Sequence, residues 1–135
     1  MDEKDAYLRV AERSIDASMK LVDKAHQEAS AFYSYHGFES LGGALCSHVG
    51  VIYPKSHRAK INQFLAASKR VGIEHGVKRV SIIIASIDRN MCLYPKKEAG
   101  NTFTLPETRI STTDAKDLNR RVKGVRKVVN RAIST

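Results

Sequence analysis

Residues 77–94 read VKRVSIIIASIDRNMCLY. Val77, Val80, Ile84, Ile87 and Met91 recur at steps of three and four, which places them on one helical stripe. Ile82 and Ile83 widen that stripe until most of the circumference before Arg89 is apolar. A helix of this character belongs between other helices rather than on a surface. The spacing therefore predicts one buried helix from near Val77 to Tyr94, stopped by Pro95. Asp88, Arg89 and Asn90 lie where it leaves the core. A guanidinium at the mouth of a buried helix is costly to leave unpaired, so it calls for a carboxylate or a phosphate. Function is expected here.

Upstream, a helix is predicted over about His57–Val71, capped by Ser56 and closed by Gly72, with Ile61, Phe64, Leu65 and Ser68 inward. Pro54 forbids helix at Tyr53, so VIYPKS is a connector. A longer helix over roughly Glu28–Val49 offers Ala29, Phe32, Tyr33, Phe38, Leu41, Ala44 and Leu45 to the core. Gly37, Gly42 and Gly43 each cost up to about 1 kcal/mol against Ala in a helix, and they read as points where a neighbouring helix comes close. The first helix, about Lys4–Lys24, carries the stripe Leu8, Ala11, Ile15, Met19 and Val22. No proline or glycine precedes Gly37, so a break at Asp23–Gln27 has no strong marker, and a continuous helix is the alternative.

Downstream, residues 95–112 (PKKEAGNTFTLPETRIST) read as an irregular loop of a length that is usually functional or mobile. Ser111 with Asp114 three residues on resembles a capping box. A final helix over about Thr113–Ile133 follows, with a seam of Ala115, Leu118, Val122, Val125, Val129 and Ala132. No strand-like alternation or internal repeat is present. The chain reads as one domain, residues 1–135, an all-α antiparallel bundle of four or five helices.

The balance of charge is uneven. Residues 1–50 carry five Lys/Arg against eight Asp/Glu, a balance of −3; residues 51–135 carry eighteen against six, +12, which together make the chain's +9. Such an excess favours an anionic partner, nucleic acid first and an acidic protein second, against a merely solvated basic face. No apolar run approaches the roughly 20 residues that a membrane span needs. The acidic start MDEKD lacks the form of a secretion signal, and two cysteines are too few for a disulfide framework, so a cytoplasmic location is expected.

Several features now coincide: the aromatic-rich AFYSYHGFES, then VIYPKSHRAKINQFL, a helix ending in D-R-N-x-x-x-Y, a loop, and a basic final helix. Together they resemble a HEPN domain, a small helical family of nucleotide-binding and RNase proteins, from about residue 5 to residue 133. YPKSHRAKINQF resembles the family's stretch between second and third helices. The family's signature is Arg, four to six residues, then His, often with a polar residue after the Arg. Arg89 and Asn90 match its first half, and Tyr94 stands where the His would be. Arg70 and His75 share the spacing in letters, but Gly72 breaks the helix between them.

Members with the full motif are metal-independent endoribonucleases, often toxins of toxin–antitoxin pairs, and they commonly pair across a two-fold axis. The resemblance thus implies RNA or nucleotide as ligand and a homodimer with Arg89 at its cleft, with no cofactor, no metal and no membrane. Its alternative is a non-catalytic helical module that partners a nucleotidyltransferase-type protein. RNA cleavage without a metal needs a base near the 2′-hydroxyl and cations for the charge on phosphorus. Arg89 can supply the charge through its fork, and Asn90 can position a phosphate or sugar oxygen. Tyr94, with an ordinary pKa of about 10 against about 6.5 for His, can donate a hydrogen bond or stack on a base.

Glu39 is the expected carboxylate that orients Arg89. His36, three residues earlier on nearly the same face, is placed to reach the same cleft. The candidate catalytic set is therefore Arg89, Asn90, Tyr94 and His36. His57 reads as a helix-start residue. Cys46 and His48 lack a second half for a zinc site, Cys92 reads as a small core hydrophobe, and Gly42-Gly43 lacks the context of a phosphate loop. Phe32, Tyr33, Tyr35 and Phe38 read as core, and the cations of the final helix as a solvated face.

Overall fold

The computed structural model describes residues 1–135. Seven helices run in the order α1 (Glu3–Asp23), α2 (Gln27–His48), α3 (His57–Arg70), α4 (Glu74–Ser86), α5 (Arg89–Leu93), α6 (Pro106–Arg109) and α7 (Thr112–Ser134). A minimal antiparallel hairpin, β1 (Lys96–Lys97) and β2 (Phe103–Thr104), lies between α5 and α6. The fold is all-α, a bundle of five helices of three turns or more with two short ones.

The central element is α2. Fourteen of its twenty-two residues are buried, and it packs against α1, α3, α5, α6 and α7. Its small residues let this happen. A Cβ on Gly43 would come within 2.6 Å of the Tyr7 ring on α1, and one on Gly42 within 2.6 Å of the Tyr53 hydroxyl and 2.8 Å of Phe64. Buried serines continue the seam: the Ser18 hydroxyl lies 3.0 Å from that of Ser30 and 2.6 Å from that of Ser34. α7 closes the other side with Ala115, Leu118, Val122, Val125 and Val129 buried, and its Asn119 donates to the Ile15 carbonyl at 3.2 Å.

The helix expected over 77–94 is not one helix, and it is not the centre. α4 buries only Val77, Val80, Ser81 and Ile84, and Ile82 is 65% exposed. α4 packs mainly on α3 and α7, and one flank faces outward. The helix ends because the Ser86 hydroxyl donates back to the Ile83 carbonyl and Ile87 turns extended. Asp88 then starts α5 afresh, its carboxylate accepting from the Asn90 N–H at 2.9 Å as an N-cap. The 95–112 loop also holds more order than its letters suggest. β1 and β2, a 3-10 turn and α6 are each too short to leave a periodic signal.

Three helices close alike. The N–H beyond a left-handed residue reaches back five positions: His26 to Leu21, Val51 to Cys46 and Ile73 to Ser68, at 2.9–3.0 Å. Gly50 and Gly72 occupy the left-handed position after α2 and α3, each at φ +78°. After α1 it is Ala25, at φ +62°, which explains why the α1–α2 break has no marker in the sequence. A left-handed alanine costs roughly 1–2 kcal/mol. Ala25→Gly is therefore expected to raise stability by about 1 kcal/mol, read as a higher midpoint in chemical denaturation; an unchanged or lower midpoint would contradict this account of the turn.

Candidate functional site

Glu39 sits three turns into α2 and is 3% exposed. A carboxylate buried this deeply must be paired or hydrogen-bonded. Its partner comes from the next element. Ser56 caps α3 by accepting from the Ala59 N–H at 3.2 Å, which sets His57 as the helix's first residue, facing α2. His57 Nδ1 lies 2.7 Å from Glu39 Oε2. The connector is pinned beside it, because the Tyr53 hydroxyl donates to the Glu39 carbonyl at 2.6 Å.

The other imidazole nitrogen, Nε2, lies 2.7 Å from Arg89 NH1 at the start of α5. A guanidinium has donors only, so Nε2 must accept. That fixes the tautomer: His57 is neutral, carries its proton on Nδ1 and donates it to the Glu39 carboxylate. The result is a relay of carboxylate, imidazole and guanidinium drawn from α2, α3 and α5. The direct Glu39–Arg89 ion pair expected from the sequence is not formed; His57 stands between them. His57, expected as a helix-start residue, is both that and the bridge.

Aromatic rings hold the guanidinium from the side. Arg89 Cζ lies 4.9 Å from the centroid of Phe32 and 5.9 Å from that of Tyr35, within cation–π range. Tyr35 also meets the His57 ring edge-on at 6.1 Å. Burial, with the Glu39 charge second, pushes the Tyr35 phenol above its ordinary range, so it stays protonated. Of the aromatic set expected as core, Tyr35 and Phe38 are buried, Phe32 is half-buried beneath Arg89, and Tyr33 is exposed. Arg89 NH1 serves His57, the Nε–H is buried without a partner, and no hydrogen bond within the chain uses NH2.

His36 joins this group. Its ring lies parallel to Phe32 at 6.4 Å, and it lines a cavity of about 290 Å³ together with Tyr7, Glu39, Tyr53 and Lys60. Burial lowers its pKa below the ordinary 6.5, so near neutral pH the ring is uncharged. Asn90 and Tyr94 do not join it. They line a separate cavity of about 350 Å³ with Asp88, Pro95, Lys96 and Arg109. Asn90 stands about 100° around α5 from Arg89, and Tyr94 follows the helix in extended conformation, so neither shares the Arg89 face. Of the expected site residues, Arg89, His36 and Glu39 thus share one place, and Asn90 and Tyr94 another.

His57, Lys60 and Tyr35 belong to the site without having been singled out for it. A histidine directly after a capping serine, three residues before a lysine on the same helix face, was the available signal for the first two. The two thiols are quiet: burial raises both Cys46 and Cys92 to about 11. Cys46 is buried and His48 exposed, and no three His, Cys, Asp or Glu side chains converge on one point. No helix is long and apolar enough to cross a membrane. On α7, Arg120 and Arg121 both bind Asp117, and Arg126 binds Glu12 of α1 at 3.1 Å. Comparison with protein-family models, with curated proteins and with solved structures finds no match for this chain.

His36 supplies a pH test. Its folded pKa lies below the unfolded 6.5, so the unfolded chain binds the proton more readily, and the stability His36 contributes is lost as pH falls below about 6.5. Melting temperatures of wild type and His36→Gln, measured from pH 7.5 down to pH 5, are expected to fall more steeply for wild type. Parallel curves would show that His36 is not held neutral in the fold.

Proposed function

We propose that this chain is a HEPN-like RNA-binding protein and a metal-independent endoribonuclease in which Arg89 holds the scissile phosphate and His57 is the base. The observation that carries the reading is the Glu39–His57–Arg89 relay. Its carboxylate end fixes the imidazole tautomer and strengthens Nε2 as a proton acceptor, the arrangement that activates a hydroxyl nucleophile. Its guanidinium end has unused donors on NH2 for a phosphate oxygen. The side chain of His57 is 44% exposed, so a ligand can reach it.

In the proposed reaction a phosphodiester takes up Arg89, which releases His57 Nε2. Nε2 then takes the proton of the 2′-hydroxyl as the 2′-oxygen attacks phosphorus. The bond to the 5′-oxygen breaks, and the leaving oxygen takes a proton from solvent, giving a 2′,3′-cyclic phosphate and a 5′-hydroxyl end. Arg89 offsets the charge that builds on the phosphoryl oxygens. Lys60 and the basic balance of residues 51–135 favour approach of the polyanion. In this reading His57 supplies the imidazole that the family's motif has at the position of Tyr94, and two copies joined across a two-fold axis form the cleft.

Labelled RNA incubated with purified protein in chelator is expected to be cleaved. Arg89→Ala should lose cleavage and weaken binding, whereas His57→Gln should lose cleavage by at least about a hundredfold while still retaining RNA. Circular dichroism checks that both variants keep the fold. Cleavage that survives either substitution rejects the proposed roles. The separation of Tyr94 from Arg89 favours a second reading, a non-catalytic module that partners a nucleotidyltransferase-type protein. It predicts no cleavage by wild type, with co-purification of that partner instead.

A further inference from the structure

The cavity on the far face of α5 has the parts of a nucleobase site. Its volume of about 350 Å³ falls within the range of small-ligand pockets. The Tyr94 ring is 59% exposed and packs against no other aromatic ring, which leaves a face free for stacking. Its main chain is held in place, because Arg109 donates from its guanidinium to the Tyr94 carbonyl. Neither Lys96 nor Arg109 forms an ion pair beside the ring. The Asn90 side-chain amide makes no hydrogen bond within the chain, and Asp88 uses one carboxylate oxygen, on the Asn90 N–H. An aromatic face, two cations, an unused amide and a carboxylate with spare acceptor sites thus surround one opening.

We infer that this cavity binds one nucleotide of single-stranded RNA, its base stacked on Tyr94, its phosphate on Lys96 and Arg109, and its edge read by Asp88 and Asn90. A carboxylate accepts and does not donate, so the edge it reads must present donors. Guanine offers two side by side, N1–H and the N2 amino group, in the spacing of a carboxylate fork; uracil offers one donor between two carbonyls. The pocket therefore prefers guanine and disfavours uracil. Asp88 and Asn90 flank Arg89 in the chain, each Cα about 3.8 Å from its own. A strand with one base seated here and a phosphate on Arg89 would therefore cross α5 from one face to the other. In that the inference rests on the RNA reading above, and it adds the position at which sequence is selected.

The test uses mononucleotides, which engage this pocket without requiring cleavage. Calorimetric titration of the whole protein with guanosine, adenosine, cytidine and uridine 5′-monophosphates is expected to rank guanosine first, about tenfold above uridine. Tyr94→Ala should weaken all four by about tenfold through loss of stacking. Asp88→Asn, which keeps the cap of α5, should abolish the preference for guanosine. Phe103→Ala removes an equally exposed aromatic outside the cavity and should change nothing. Equal affinity for guanosine and uridine monophosphates, or an unaltered Tyr94→Ala, overturns the inference. Arg89→Ala separates the two claims. If wild type leaves RNA intact, or Arg89→Ala cleaves it normally, while Tyr94→Ala loses guanosine monophosphate, the pocket stands and the ribonuclease reading through Arg89 falls; cleavage lost in Arg89→Ala with guanosine monophosphate binding unaltered in Tyr94→Ala leaves that reading and removes the pocket.

Discussion

One buried negative charge governs the arrangement around the site. Glu39 lies on the most enclosed helix of the bundle, where an unpaired carboxylate would be costly. Satisfying it draws together segments far apart in the chain. The connector after α2 folds back until Tyr53 reaches the Glu39 carbonyl, α3 begins where His57 can meet the carboxylate, and α5 brings Arg89 to the far imidazole nitrogen. Gly42 is a silent participant: without a bare Cα at that point, neither Tyr53 nor Phe64 could lie so close to α2. The glycine sets the distance, the distance sets the connector, and the connector sets the histidine.

Neutral groups then isolate the charged ones. Phe32 and Tyr35 flank the guanidinium, burial keeps His36 uncharged and Tyr35 protonated, and the imidazole in the middle is neutral by hydrogen-bond logic. A carboxylate and a guanidinium at the two ends of a neutral ring attract less strongly than in direct contact. They keep their polarising effect on that ring, however, which suits proton transfer better than an ion pair does. The excess positive charge elsewhere is partly neutralised locally, since three arginines of α7 bind acidic side chains of α7 or α1. Lys96 and Arg109 beside α5 are left without such partners, on the same side of the fold as the hairpin.

Long periodic segments were legible in the letters because burial repeats with the helix. α1, α2, α3 and α7 lie within a residue or so of where their apolar stripes and caps place them, and the close approaches at Gly42 and Gly43 follow from glycines that a free helix would not keep. Which helix is central follows from small residues more than from apolar ones. The isoleucine run of α4 looked like the centre, yet a central helix needs alanine, serine and glycine to let neighbours in, and α2 has them. The break at Ile87 escaped notice because serine and aspartate end one helix and begin another without proline or glycine. Arg89 was found from its place at the end of a greasy segment. His57 is harder to read, since its place after a capping serine and before Lys60 does not by itself reveal that it also satisfies a buried acid eighteen positions back.

The brevity of α5 has a mechanical consequence. Five residues form a little more than one turn, too few to flex internally, and two extended residues, Ile87 and Asp88, join them to α4. Packed on α2 and α6, α5 is one rigid wedge with the guanidinium on one flank and the tyrosine cavity on the other. Load applied to either flank rotates both, so the two faces cannot be adjusted independently of each other.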